Sequence, residues 1–505
     1  MAAREPRPGL VAPGPARVAE GFLADTGLAA VFEELQVGYR DHDLLPLYRA
    51  PLVEPAAIAA RQAVMQDLDR PRLEAAARDF LLGLRRVRET LEQGRRLYPR
   101  RPKAYYRLAA FLVYVEALAA FAEGLEAAAP ASRGLKEAAA YLKAHLARPE
   151  VAGRRREAAE IRSALLGVRY LLHIEEARVS VYPPEALDDL VARLERIFAP
   201  LGRGRGPELR LPPRGPEMNH VEEGILEGVA KLYPEPFARL ERFASELGAF
   251  QDPGVRAIER GLAFFLAYRD LLAPLKEAGL AFAYPELAPG AAGWARGAFP
   301  LDLARAREGG VVANDFAFDE GRILVVTGPN QGGKTTFART VAQVHYLAGL
   351  GLPVPAAAAR IAPVRRFFSH FPRREAAEDL TSRLEDDLLR MRPILEAAGE
   401  DALAILNEPF ASATAPDALA LGLRVLARLR EGGARAVWVT FLPELARQPG
   451  VQSYVAQLDP DDPTRRTFRV VPAPPSERAY AEILARRYRL TYPELKARLA
   501  RWKSG

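Results

Sequence analysis

The stretch Gly328-Pro-Asn-Gln-Gly-Gly-Lys334-Thr335 constrains this chain more than any other feature. It follows directly on Ile323-Leu-Val-Val-Thr327, an apolar run of strand length, and leads into residues of helical texture. Strand, glycine loop and helix in that order form the context in which G-x-x-x-x-G-K-[ST] cradles phosphate. Glycines let the backbone close around phosphate oxygens with successive N–H groups turned inward, and the helix adds the positive end of its dipole. A lysine at position 334 reaches the β- and γ-phosphates, and a hydroxyl at 335 ligates magnesium. The expected cofactors are ATP and Mg²⁺. The expected binding residues are Gly328, Pro329, Asn330, Gln331, Gly332, Gly333, Lys334, Thr335 and Thr336. A glycine-rich turn matching the pattern by chance is the competing reading, and the flanking elements weigh against it.

Hydrolysis needs a carboxylate beside the magnesium and a group that orients the attacking water. The next buried-strand candidate ends in Leu403-Ala-Ile-Leu-Asn407-Glu408, where an acidic pair would complete the set. Here the first member is an amide. Asn407 can still accept a hydrogen bond from a magnesium-bound water, without the negative charge. Glu408 is placed to act on the attacking water, so Glu408 and Lys334 are the expected catalytic residues and Thr335 and Asn407 the expected metal-side residues. A strand end carrying a solvated glutamate is the alternative for Glu408.

At 505 residues the chain exceeds one core, so several units are expected. The expected class is α plus α/β, multidomain. Residues 1–16 are rich in Pro and Gly and are expected to be disordered. Residues 17–290 have helical spacing, as in Phe80, Leu81, Leu84 and Val87, interrupted by a strand candidate ending at Tyr182 and a Gly/Pro/Arg loop tip within 177–218. Residues 291–475 turn to α/β texture, with Ala402–Leu406 and Ala436–Thr440 as further buried strands between helices, the pattern of a mostly parallel sheet. Residues 476–505 are helical again, with Thr491 and Glu494 spaced as a capping box. The absence of cysteine excludes disulfides, thiolate metal sites and Cys nucleophiles, and the six His form no H-E-x-x-H pattern. His345, on a helical stretch, reads as a packing residue. No apolar leader or run of membrane-spanning length is visible, so a cytoplasmic location and no membrane partner are expected.

The phosphate loop, with its Pro329-Asn330 pair, resembles that of the MutS family of DNA mismatch-repair ATPases. Gly349-Leu-Gly-Leu-Pro-Val-Pro355, Ile361-Ala-Pro-Val-Arg-Arg-Phe367, Val312-Ala-Asn-Asp315, the helix within Ala376–Ala398 and the switch strand at Val439-Thr440 are similar as well. The likeness is specific over about 295–475 and weaker over the helical region, including Pro46–Leu52, Ile58–Arg61 and Asn219–Leu287. It implies a homodimer of ABC-type ATPase domains with composite nucleotide sites. It further implies lever helices that embrace DNA, a C-terminal dimerisation segment, and repair or recombination proteins as partners. Because the chain starts almost directly in the helical region, no mismatch-reading domain or wedge is expected. Four departures bear on mechanism: Asn407 replaces an Asp, and Phe441 stands where a switch His is usual. Val311 stands where an aromatic would stack on adenine, and the signature loop shortens to Asp379–Arg383 with Ser382 as its serine. Tight phosphate binding with slow turnover is the resulting expectation.

The net charge of +7 favours polyanionic partners without proving one. Basic clusters with aromatics lie at Arg95–Arg107, at Arg154-Arg-Arg156, and in the loop carrying Arg203, Arg205, Arg210 and Arg214. Any DNA recognition is expected to be of backbone and shape. The leading functional expectation is a DNA-binding, MutS-like dimeric ATPase of repair or recombination. The alternative is a nucleotide-gated protein-interaction switch with little hydrolysis.

Overall fold

The computed structural model describes residues 10–97, 100–175, 178–184, 219–288, 290, 292–318, 322–372, 380–459, 462, 465–475 and 490–496, with the side chains of 380–383 excluded. The fold mixes helices with a largely parallel sheet, as expected. Two compact units divide it: Asp67–Glu259, and residues 10–66 together with those from Arg260 onward. This division differs from the boundary expected at 290.

The helical unit is built on the long helices Pro71–Arg96 and Arg100–Ala128. Pro71 and Glu74 occupy the first turn of the former and Arg95 and Arg96 its last, each where the helix dipole and the missing proline N–H favour it. Leu73, Ala77, Phe80, Leu84 and Val87 recur at three- and four-residue spacing and are buried. Phe80 stacks on Phe121 with ring centroids 4.5 Å apart. At Gly83 a Cβ would lie 2.7 Å from the Ala117 side chain, so the two helices approach closely there because glycine carries none. By length and composition Arg100–Ala128 is apolar enough to cross a membrane; half of that apolar window is buried inside the fold. Helices Arg133–Ala147 and Pro149–Leu166 follow, then a hairpin of Leu171–Glu175 with Arg178–Tyr182. Asn219 caps the returning helix His220–Leu232 in a capping box with Glu222, and Pro234–Glu246 follows. The loop expected at 201–216, with its four arginines, lies outside the described residues.

The α/β unit contains a seven-stranded sheet. Its order is Arg17–Val18, Arg366–His370, Ala402–Asn407, Arg435–Val439, Ile323–Thr327, Gln452–Leu458, Arg466–Pro472. Every pairing is parallel except the last. Ile323–Thr327 and Arg435–Val439 are buried at every position, which is why Ile323–Val326 and Ala436–Val439 read as unbroken apolar runs rather than alternating ones. A second sheet joins Glu286–Leu287, Ala358–Ile361, Gly293–Ala298 and Asn314–Phe318. Of the stretch expected to be disordered, residues 1–9 lie outside the described ones. In the remainder the Gly14 N–H donates to the Ala50 carbonyl at 2.8 Å, and Arg17–Val18 pairs with Arg366–Phe367. A two-residue edge strand beside prolines leaves no period to read, which accounts for the difference.

The helix Lys334–Gly349 is buried along most of its length. Gln343, fully buried within it, accepts from the Leu301 N–H at 2.7 Å. It donates to the Thr26 carbonyl and the Asp302 carboxylate at 2.7 and 2.8 Å, so both ends of its amide are paired. His345 is buried against Phe316 and Phe318 and contacts the Val341 carbonyl at 2.8 Å, a packing residue as expected. At the other end of the chain the Thr491 N–H donates to the Glu494 carboxylate at 3.2 Å, half of the expected capping box; most of 476–505 lies outside the described residues.

Candidate functional site

The glycine loop leaves the sheet at the end of Ile323–Thr327 and turns into the helix that begins at Lys334. Gly328 has φ +119°, and a Cβ there would sit 3.0 Å from the Ala456 backbone N and O on the adjacent strand. Only glycine satisfies both the torsion and the close approach. Gly333, at φ +95°, is the N-cap of the helix, whose first-turn N–H groups have no intrahelical acceptors.

Lys334 is buried, and its ammonium folds back onto its own loop. It donates to the carbonyls of Gly328 at 3.0 Å and Pro329 at 3.1 Å, with Asn330 Oδ1 at 3.5 Å. The Phe441 ring covers the same amine, its centroid 4.6 Å from Nζ. Burial lowers the Lys334 ammonium from the usual lysine range; the Glu408 carboxylate opposes that shift and Arg466 adds to it. The Thr335 hydroxyl donates to Asn407 Oδ1 at 2.8 Å, which leaves the hydroxyl lone pairs available to a cation. Asn407 itself is buried at the end of Ala402–Asn407.

Glu408 is the next residue, held at φ +51° with its N–H donating to the Val439 carbonyl at 2.9 Å. A left-handed conformation at a non-glycine residue costs about 1–3 kcal/mol and persists where surrounding structure enforces it, a situation common at functional sites. Burial raises the Glu408 carboxyl above the ordinary glutamate range, and Lys334 pulls it back down.

These groups open onto one cavity of about 560 Å³. Asn330, Gln331, Gly333, Lys334, Thr335, Thr336, Glu408 and Phe441 all line it. Asn407 joins the site through Thr335, and Gly328 and Pro329 join it through Lys334. Val311, singled out at the adenine-stacking position, lines the wall with Val312. The side chain of Ser382 lies outside the described residues.

Two residues not singled out in the sequence also belong here. Phe468, exposed at φ +57°, lines the cavity and presents an aromatic face that Val311 does not. Arg466 Nε donates to the Asn330 carbonyl at 3.1 Å and so braces the loop from the last strand. No motif marks either one; only the pairing of Gln452–Leu458 with Arg466–Pro472 brings them to the site.

The residues present fit a magnesium–nucleoside triphosphate. The lysine is satisfied by loop carbonyls that phosphate oxygens can replace, the threonine hydroxyl keeps its lone pairs, and both line a cavity large enough for the group.

The fold is a mixed helix and sheet architecture in which a glycine loop joins a central parallel strand to a buried helix. Residues 324–463 match the family model described as MutS domain V. The chain is similar to the DNA mismatch repair protein MutS of Symbiobacterium thermophilum, 29% identical over 333 residues that make up 60% of this chain and 34% of that protein. It is 38% identical to the DNA mismatch repair protein MutS of Granulibacter bethesdensis over 133 residues, 26% of this chain and 14% of that protein. It is 31% identical to Endonuclease MutS2 of Thermus thermophilus over 190 residues, 37% of this chain and 25% of that protein. The likeness to MutS and MutS2 proteins is therefore carried by residues 324–463, the MutS domain V match, and by the stretches shared with these relatives. The chain spans about a third or less of the length of these relatives.

Proposed function

We propose that the chain binds ATP with Mg²⁺ at Gly328–Thr336 and acts as a DNA-binding ATPase of the MutS type in repair or recombination. It works as a homodimer with composite nucleotide sites and turns over slowly. The observation that carries the nucleotide reading is the convergence of Lys334, the Thr335–Asn407 pair and Glu408 on one cavity at the mouth of the glycine loop. Lys334 and the helix N-terminus would hold the phosphates, Thr335 would face the cation, and Glu408 would take the proton of the attacking water. When bound, magnesium supplies charge neutralisation between the β- and γ-phosphates. Phe468 is the aromatic face offered to the base in place of Val311.

Slow turnover follows from two residues. Asn407 supplies no negative charge to the cation, and Phe441 offers a ring where a hydrogen-bond donor to the γ-phosphate would serve. Asn407→Asp is expected to raise kcat by roughly ten-fold, about 1.4 kcal/mol in the barrier, in a steady-state phosphate-release assay. An unchanged rate would show that the missing charge is not limiting.

The DNA part of the reading rests on the names of the relatives and on the basic clusters. It predicts binding that weakens steeply with salt and shifts when ATP is added, measured across duplex, mismatched and branched DNA. No affinity for any of these at low ionic strength would sink it. The same Asn407 and Phe441 favour a second reading, a nucleotide-gated protein-interaction switch. Partners retained in the presence of ATP after nuclease treatment would select that one.

A further inference from the structure

The helical unit holds a second cavity, of about 590 Å³, that the nucleotide reading does not use. Arg95, at the end of Pro71–Arg96, faces it together with Lys103 and Arg107 from Arg100–Ala128 and Arg256 from the start of Pro253–Glu277. No carboxylate is among its lining residues.

Neighbouring arginines show what an ordinary surface would look like. Arg100 and Arg101 pair with Glu241 at 3.2 and 3.1 Å, and Arg95 lies 3.6 Å from Glu92. Among the described residues Lys103 and Arg256 make no ion pair. Both sit in the first turn of a helix, where the dipole disfavours a cation. Arg107 is fixed by donating to the Gly248 carbonyl at 2.9 Å. The loop Gly248–Gln251 also lines the cavity, and among the described residues none of its four N–H groups donates to another backbone group. Lys103, Arg107 and Arg256, brought to one cavity from two helices with no carboxylate in its lining, repel one another unless an anion joins them.

We propose that this cavity is a phosphate-binding site, separate from Gly328–Thr336, which takes a phosphate group of a nucleic-acid strand or of a free phosphate compound. Lys103, Arg107 and Arg256 supply the charge, and the loop Gly248–Gln251 closes the wall. The proposal does not depend on the nucleotide reading.

The test uses the full chain carrying Lys103→Glu with Arg256→Glu, both exposed positions. One arm measures the affinity of a labelled duplex across a salt series. The log–log slope is expected to shrink by about 2, roughly 0.9 for each phosphate that is no longer neutralised. The other arm titrates inorganic pyrophosphate into a Lys334→Ala background, where affinity is expected to fall by on the order of ten-fold or more. A response in the duplex arm alone identifies the strand backbone as the source, and one in the pyrophosphate arm identifies a free phosphate. No response in either overturns the proposal. If charge reversal unfolds the unit, Lys103→Gln with Arg256→Gln carries the same comparison. ATP binding to the chain with Lys334 intact reports separately on the first site and is expected to be unchanged by either pair.

Discussion

Lys334→Ala is expected to weaken ATP binding by on the order of 100-fold, as measured by equilibrium titration with a fluorescent nucleotide. The ammonium is buried and now satisfied by the Gly328 and Pro329 carbonyls and by the face of Phe441. Phosphate oxygens would replace neutral carbonyls with charged acceptors, and truncating one side of such a buried pair costs about 2–5 kcal/mol. Alanine also leaves the two carbonyls without their donor, so the loop loses its internal brace as well as its charge. Retention of wild-type affinity would remove Lys334 from the phosphates and with it the main support for nucleotide binding.

Glu408→Gln has the second large effect. It is expected to lower kcat by about 10²–10⁴ while leaving ATP affinity within a few-fold, because an amide of the same shape cannot take a proton. Burial raises the Glu408 carboxyl, with Lys334 opposing. A base works only when ionised, so turnover falls as pH drops through this raised value, above the ordinary glutamate range near about 4.3. The residual turnover of Glu408→Gln should lack that acidic limb. Unchanged kcat in single-turnover experiments would assign the water-orienting role elsewhere and leave the left-handed backbone at 408 as a purely structural feature.

The site was legible where chemistry is written in contiguous residues. Ile323–Thr327 showed as a strand because both of its faces are buried, and Gly328–Thr335 because close phosphate approach demands glycine and lysine at fixed spacing. Asn407 and Glu408 showed as a pair at the end of a second apolar run, and Ala402–Asn407 extends only one residue past the strand expected there. What stayed hidden depends on strand pairing between distant segments. Arg466 braces Asn330 from a strand with no fingerprint, and Phe468 supplies an aromatic from the same strand. The conformation of Glu408 is also invisible in its side-chain type. The division into units is hidden for the same reason: Arg17–Val18 and the helices before residue 67 have local texture like the helical region, yet partners of theirs lie beyond residue 260.

That division gives the chain a particular order of events during synthesis. Residues 10–66 leave the ribosome before the helical unit, but the strand that Arg17–Val18 joins begins at Arg366, some three hundred and fifty positions later. Between them comes the unit Asp67–Glu259, whose packing is complete within one stretch of chain. Mostly local pairings form quickly, whereas pairing across so long a span waits for the chain to be made. The segment 10–66 therefore waits through synthesis of the helical unit before Phe22, Phe32 and Tyr48 meet their final neighbours Tyr346, Phe367 and Phe264. The glycine loop follows the helical unit in the chain, so the cavity at its mouth takes shape after that unit.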